Sequence, residues 1–168
     1  MKRLFVVSLA AWIVVSADGF AEEANGLRVL VQKTTLEREK DRDAFYQWDK
    51  VDKALALRVS AKNISFKEME EGTVSYTVIV KRWGYTPIKY DRHSSSEPFP
   101  ALKAGAEKDL KIGKVPIGGY EIGGNRKQFQ DSIEGWQVVV KHGDKETIKL
   151  TSTASFDKLN ERAKDAAK

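Results

Sequence analysis

From Leu27 onward, apolar and polar residues alternate in short runs closed by turn formers. Side chains that switch faces at every residue belong to half-buried antiparallel strands. Leu27, Val29 and Val31 make the apolar face of a first run that extends toward Leu36. Leu55, Leu57, Val59 and Ala61 make a second, which stops at Asn63-Ile64-Ser65. Val74, Tyr76, Val78 and Val80 oppose Thr73, Ser75, Thr77 and Lys81 in a third that opens at Gly72, with the β-branched and aromatic residues that suit a pleated surface.

After Trp83-Gly84 the pattern loosens and breaks at Ser94-Ser95-Ser96 and Pro98-Phe99-Pro100. Proline gives no N–H to a ladder, so this stretch predicts loop or sheet edge. A further run carries Leu110, Ile112 and Val115 and closes at Pro116 and Gly118-Gly119, and residues 118 to 135 read as a long glycine-rich loop. Trp136, Val138 and Val140 then alternate with Gln137, Val139 and Lys141, and His142-Gly143-Asp144-Lys145 turns a hairpin back through Ile148 and Leu150. Ser155 caps a short helix in which Phe156, Leu159, Ala163 and Ala166 recur at helical spacing, with a disordered tail as the alternative. Six or seven strands and one terminal helix predict an all-β fold, an immunoglobulin-like two-sheet β-sandwich with a short C-terminal helix. Periodicity leaves the connections open, and a small closed barrel satisfies the same pattern.

The first residues change the picture. Met1-Lys2-Arg3, an apolar-rich run over 4 to 15 and the small-residue stretch Ser16-Ala17-Asp18-Gly19-Phe20-Ala21 follow the order of a Sec signal peptide. The run is too short for the ~20 apolar residues of a membrane span. Small residues allow cleavage after Ala21, with Gly19, or after Ala17, with Val15, and the spacing from the apolar run favours Ala21. The expected organisation is a signal peptide over 1–21, a sandwich domain over 22–154 and a helical or disordered tail over 155–168. No transmembrane segment remains after cleavage. The mature protein is expected in the periplasm, on the outer-membrane surface or secreted.

With no cysteine in the chain, stability must come from an apolar core, and export without disulfides points to a bacterial envelope. The net charge of +5 is spread over interspersed signs, as in Glu37-Arg38-Glu39-Lys40-Asp41-Arg42-Asp43, so no field of the kind nucleic acid requires develops.

Chemistry is thinly represented. His93 and His142 are the two histidines, and without cysteine most nucleophile and transition-metal arrangements are removed. Asp91-Arg92-His93-Ser94 contains triad residue types, yet triads are spatial, and these read as solvated loop residues; His142 reads as a surface turn residue. Asp41, Asp43, Asp49 and Asp52 would suit calcium were they not interrupted by Lys40, Arg42, Lys50 and Lys53, so they read as a solvated linker. The glycines of 118 to 124 lack the spacing of a phosphate loop. No carboxylate pair stands out for glycoside hydrolysis. No catalytic residue, metal or cofactor is therefore predicted. The binding candidates are the rings of Trp83, Tyr85, Tyr90 and Phe99, with Trp83 on the parity of Lys81 and Ile79 and so aimed away from the core. Phe45, Tyr46 and Trp48 form a second cluster, expected to pack over a sandwich end.

Leu-Arg-Val-Leu-Val at 27 to 31, Ala-Leu-Arg-Val-Ser-Ala-Lys-Asn at 56 to 63, Gly-Thr-Val-Ser-Tyr-Thr-Val-Ile-Val at 72 to 80 and Gly-Trp-Gln-Val-Val-Val at 135 to 140 resemble exported immunoglobulin-like proteins associated with type IV pili in mucin-degrading gut bacteria. The resemblance implies a surface or pilus-associated component capable of self-association, and carries over no site residues. Gly19-Phe20 follows the apolar run instead of preceding it, unlike a prepilin cleavage site, so assembly through an N-terminal pilin helix is not expected. The function expected is non-enzymatic contact with envelope or pilus proteins, homo-oligomers included. The alternative is a carbohydrate-binding module that recognises surface glycans through the exposed aromatics.

Overall fold

A computed structural model describes residues 19–42, 48–122, 128–142 and 145–165. In chain order its elements are β1 (Phe20–Ala24), β2 (Leu27–Arg42), β3 (Trp48–Asn63), β4 (Gly72–Arg82), β5 (Lys89–Phe99), β6 (Glu107–Ile122), β7 (Gln128–Gln130), β8 (Ser132–His142), β9 (Lys145–Thr151) and α1 (Phe156–Asp165). One antiparallel sheet has the order β1-β2-β3-β6-β7 and the other β5-β4-β8-β9. The chain changes sheet after β3, β5 and β7, which gives the crossed connections of an immunoglobulin-like sandwich. Each sheet keeps two open edges, so the fold is a sandwich and not the closed barrel that periodicity left possible.

The alternating residues make the core. Val29, Val31, Leu57 and Val59 of the first sheet are fully buried against Val74, Val78 and Val80 of β4 and Trp136 and Val138 of β8 in the second. Each such side chain contributes about 1.5–3 kcal/mol on burial, which is how a chain without cross-links holds two sheets together. Asn63 is the buried polar residue among those described. Its Nδ2 donates to the carbonyls of Lys67 (2.8 Å), Leu102 (2.9 Å) and Lys103 (3.2 Å), and its Oδ1 accepts from the N–H (2.9 Å) and Oγ (2.7 Å) of Ser65. One side chain thus ties loop 64–71 to loop 100–106.

Three expectations are corrected, and one hairpin is added. Residues 41–42 and 48–52 are not a solvated linker; they continue β2 and β3. The mixed charges that suggested solvent fall opposite one another in the register, as Asp41 opposite Lys50, where opposite signs support pairing. Trp48 begins β3, while Asp43, Phe45 and Tyr46 lie outside the described residues. Nor does a long loop fill 118–135, since β6 runs on to Ile122 and β7 and the start of β8 follow. Pro116 does not end β6: its carbonyl accepts from Arg82 Nη1 at 3.0 Å, on the side away from β3, so the N–H it lacks belonged to no ladder there. Finally, Asn25-Gly26, both with positive φ, turn β1 into β2 as an Asn-Gly hairpin that the run from Leu27 did not reveal. β1 starts at Phe20, inside the segment read as leader.

β5 is an edge strand. Asp91, His93, Ser95 and Glu97 sit opposite Val80, Val78, Tyr76 and Val74, on the inward face. On the outer face Ser94 and Ser96 bond Thr77 (2.9 Å) and Ser75 (3.0 Å). There α1 covers Ile79 with Phe156 and Ala163, all buried, and Tyr90 and Leu159 pack beside them. Gly135 makes this possible, because a Cβ there would come within 2.8 Å of Leu159 Cδ2. The Ser155 carbonyl accepts the Leu159 N–H at 3.2 Å, the first bond of the helix, while its Oγ pairs with Thr153 Oγ1 at 3.1 Å.

Candidate functional site

The four predicted rings do not form one group. Phe99 is fully buried, because it lies on the inward parity of β5, and its ring meets His142 edge-on at 5.4 Å. Tyr90 stands opposite Lys81 on the outer face, where α1 partly covers it. Trp83 and Tyr85 remain exposed, at 43% and 57%, on the hairpin between β4 and β5, and Ile88 joins them at 54%. The Thr86-Pro87 bond of this hairpin is cis. Trp83 packs against Phe129 (5.5 Å between centroids) and Tyr120 (6.2 Å), and Lys89 Nζ lies 5.6 Å from the Tyr85 ring. Tyr120 and Phe129 escaped the sequence reading because their segment was taken for loop.

A charged mount fixes this tip. Arg82 Nε donates to Asp91 at 2.7 Å and its Nη1 to Asp131 at 2.7 Å. Asp131 also accepts the backbone N–H of Trp83 (2.8 Å) and of Gly118 (3.1 Å), so one carboxylate locks the tip to both sheets. Burial opposes the Arg82 charge, yet its bonds to Asp91 and Asp131 prevail and raise its pKa. Burial likewise pushes Asp91 up, and the bond and charge of Arg82 outweigh it, leaving the carboxyl below its ordinary value. Nothing in the local sequence marks Asp131, since its role depends on strands brought together by the fold.

Across β7 lies a cleft of about 360 Å³ lined by Lys33, Thr35, Arg38, Lys53, Gln130 and Asp131 among others. Two of its cations are engaged: Arg38 holds Glu121 through two bonds of 2.8 and 3.0 Å, and Lys53 donates to Gln130 at 2.8 Å. Tyr120 pairs with Phe129 and Gly119 with Gln130, so strand alternation puts the rings and the cleft on opposite faces of the β6–β7 ribbon.

The triad types of 91–94 stand in a strand, not a solvated loop. Alternation sends Asp91 and His93 inward and Arg92 and Ser94 outward. Arg92 bonds Asn160 at 2.9 Å, and Ser94 is held by Thr77. His142 ends β8 half-buried and is not a surface turn residue. The Nε2 atoms of both histidines are buried without a partner, and both pKa values are lowered, by burial first and for His93 also by the charge of Arg82. Among the described residues no group of three or more His, Asp or Glu could hold a metal, and no helix is long and apolar enough to cross a membrane.

No family model matches the chain, and no curated protein matches it. Among solved structures, a β-glucosidase of Listeria innocua in complex with gluconolactone is similar at 15% identity and a TM-score of 0.25, over 72% of this chain and 15% of that one. A likeness at that level carries no argument about function.

Proposed function

We propose that this is an exported, non-enzymatic envelope protein that works by gripping another protein, with the Trp83 hairpin as the grip. The supporting observation is the tip itself: Trp83, Tyr85 and Ile88 stand exposed together on a mount that Arg82 and Asp131 hold rigid. Large rings presented in a fixed geometry lose little freedom on association, which is what protein anchors require. A sugar site would need free polar groups beside the rings, and here Arg82, Asp91 and Asp131 are spent on one another. The partner is an envelope or pilus component, a second copy of this chain included.

A photoreactive residue at position 85 in the native envelope tests this. Protein adducts are expected, and they should vanish with Trp83→Ala. Glycan-array binding lost with Trp83→Ala, in the absence of any protein adduct, would replace this reading with that of a carbohydrate-binding module.

A further inference from the structure

β1 lies where the leader should end. Phe20 pairs with Val31 and Ala21 with Leu30. The Phe20 ring, itself 36% exposed, meets the core ring of Trp136 edge-on at 5.3 Å and 82°, at the rim of the core. Gly19 is buried, and a Cβ there would come within 2.8 Å of Gln32 Cγ and 2.9 Å of Leu30 Cδ1. Cleavage after Ala21 would discard all three residues, leave the backbone opposite Leu30 and Val31 unpaired and open the edge of Trp136 to water. A discarded leader has no need to fit the folded domain this closely.

We infer that signal peptidase cuts between Ala17 and Asp18, so that the mature protein begins at Asp18 and keeps β1 whole. The inference rests on the reading of an exported protein with a cleaved leader. Val15 and Ala17 supply the residues that the peptidase must accommodate, and Asp18 is then the one residue ahead of Gly19.

Intact mass of the full chain, expressed with its own leader in a Gram-negative host and purified from the periplasm, decides it. A mass for residues 18 to 168 is expected. A mass for residues 22 to 168, lighter by Asp18-Gly19-Phe20-Ala21, overturns the inference and leaves the leader standing. An uncut chain overturns both. Ala21→Leu should leave the cut unmoved, because position 21 is then the fourth mature residue; loss or relocation of cleavage in this variant also overturns the inference. Of two purified forms starting at Asp18 and at Glu22, the second should melt several degrees lower.

Discussion

The two ends of the sandwich are closed by different chemistry. At one end Asn63, fully buried and uncharged, stitches two loops through its amide. At the other, Arg82 joins Asp91 and Asp131, with 18%, 28% and 12% of their side chains exposed. A neutral amide with every bond made can be sealed from water, whereas charges lose several kcal/mol of hydration and are retained more easily near solvent. The charged end therefore stays partly open beneath the hairpin it carries, whereas at the neutral end the seal lies under loop 64–71, whose Phe66 stands fully exposed.

Removing each closure should separate them. Asn63→Ala strands the carbonyls of Lys67, Leu102 and Lys103, and about 3 kcal/mol of stability should be lost in urea unfolding, the largest effect expected. Arg82→Ala leaves two carboxylates facing each other at a part-exposed site, and about 2 kcal/mol should go, with Arg82→Lys restoring only part because an ammonium cannot reproduce the fork. The third effect is smaller and sharper. Asp91 has a folded pKa below its ordinary 3.8, so its stabilisation is complete above that value and drains away as pH falls through the lower folded one. Urea midpoints measured from pH 5 downward should thus fall less steeply in Arg82→Ala than in the parent, while Asn63→Ala should lower the whole curve without changing its slope.

Core and strands were legible where one face is apolar: Val74, Val78 and Val80, or Trp136, Val138 and Val140, alternate because one side meets the other sheet. The strand ends were not, because the outer parts of β2, β3 and β6 are paired by charge and glycine, residues that read as linker and loop when no partner is in view. Asn25-Gly26 was a readable turn, hidden by its nearness to the segment read as a leader. Of the candidate site, the parity of Trp83 placed its ring outside the core, whereas Tyr90 and Phe99, nine residues apart, fall on opposite faces of β5. Asp131 could not be foreseen, since it gathers Arg82, Trp83 and Gly118 from strands far apart in the chain.

The inward-facing Asp91, His93, Ser95 and Glu97 bear on how the protein survives crowding. A foreign strand docking onto β5 would extend the sheet along a rim whose inward positions carry half-buried acid and imidazole instead of hydrocarbon, so runaway stacking into fibrils meets an electrostatic obstacle at its first step. The protein can then reach high local density while its association stays confined to surfaces other than that rim.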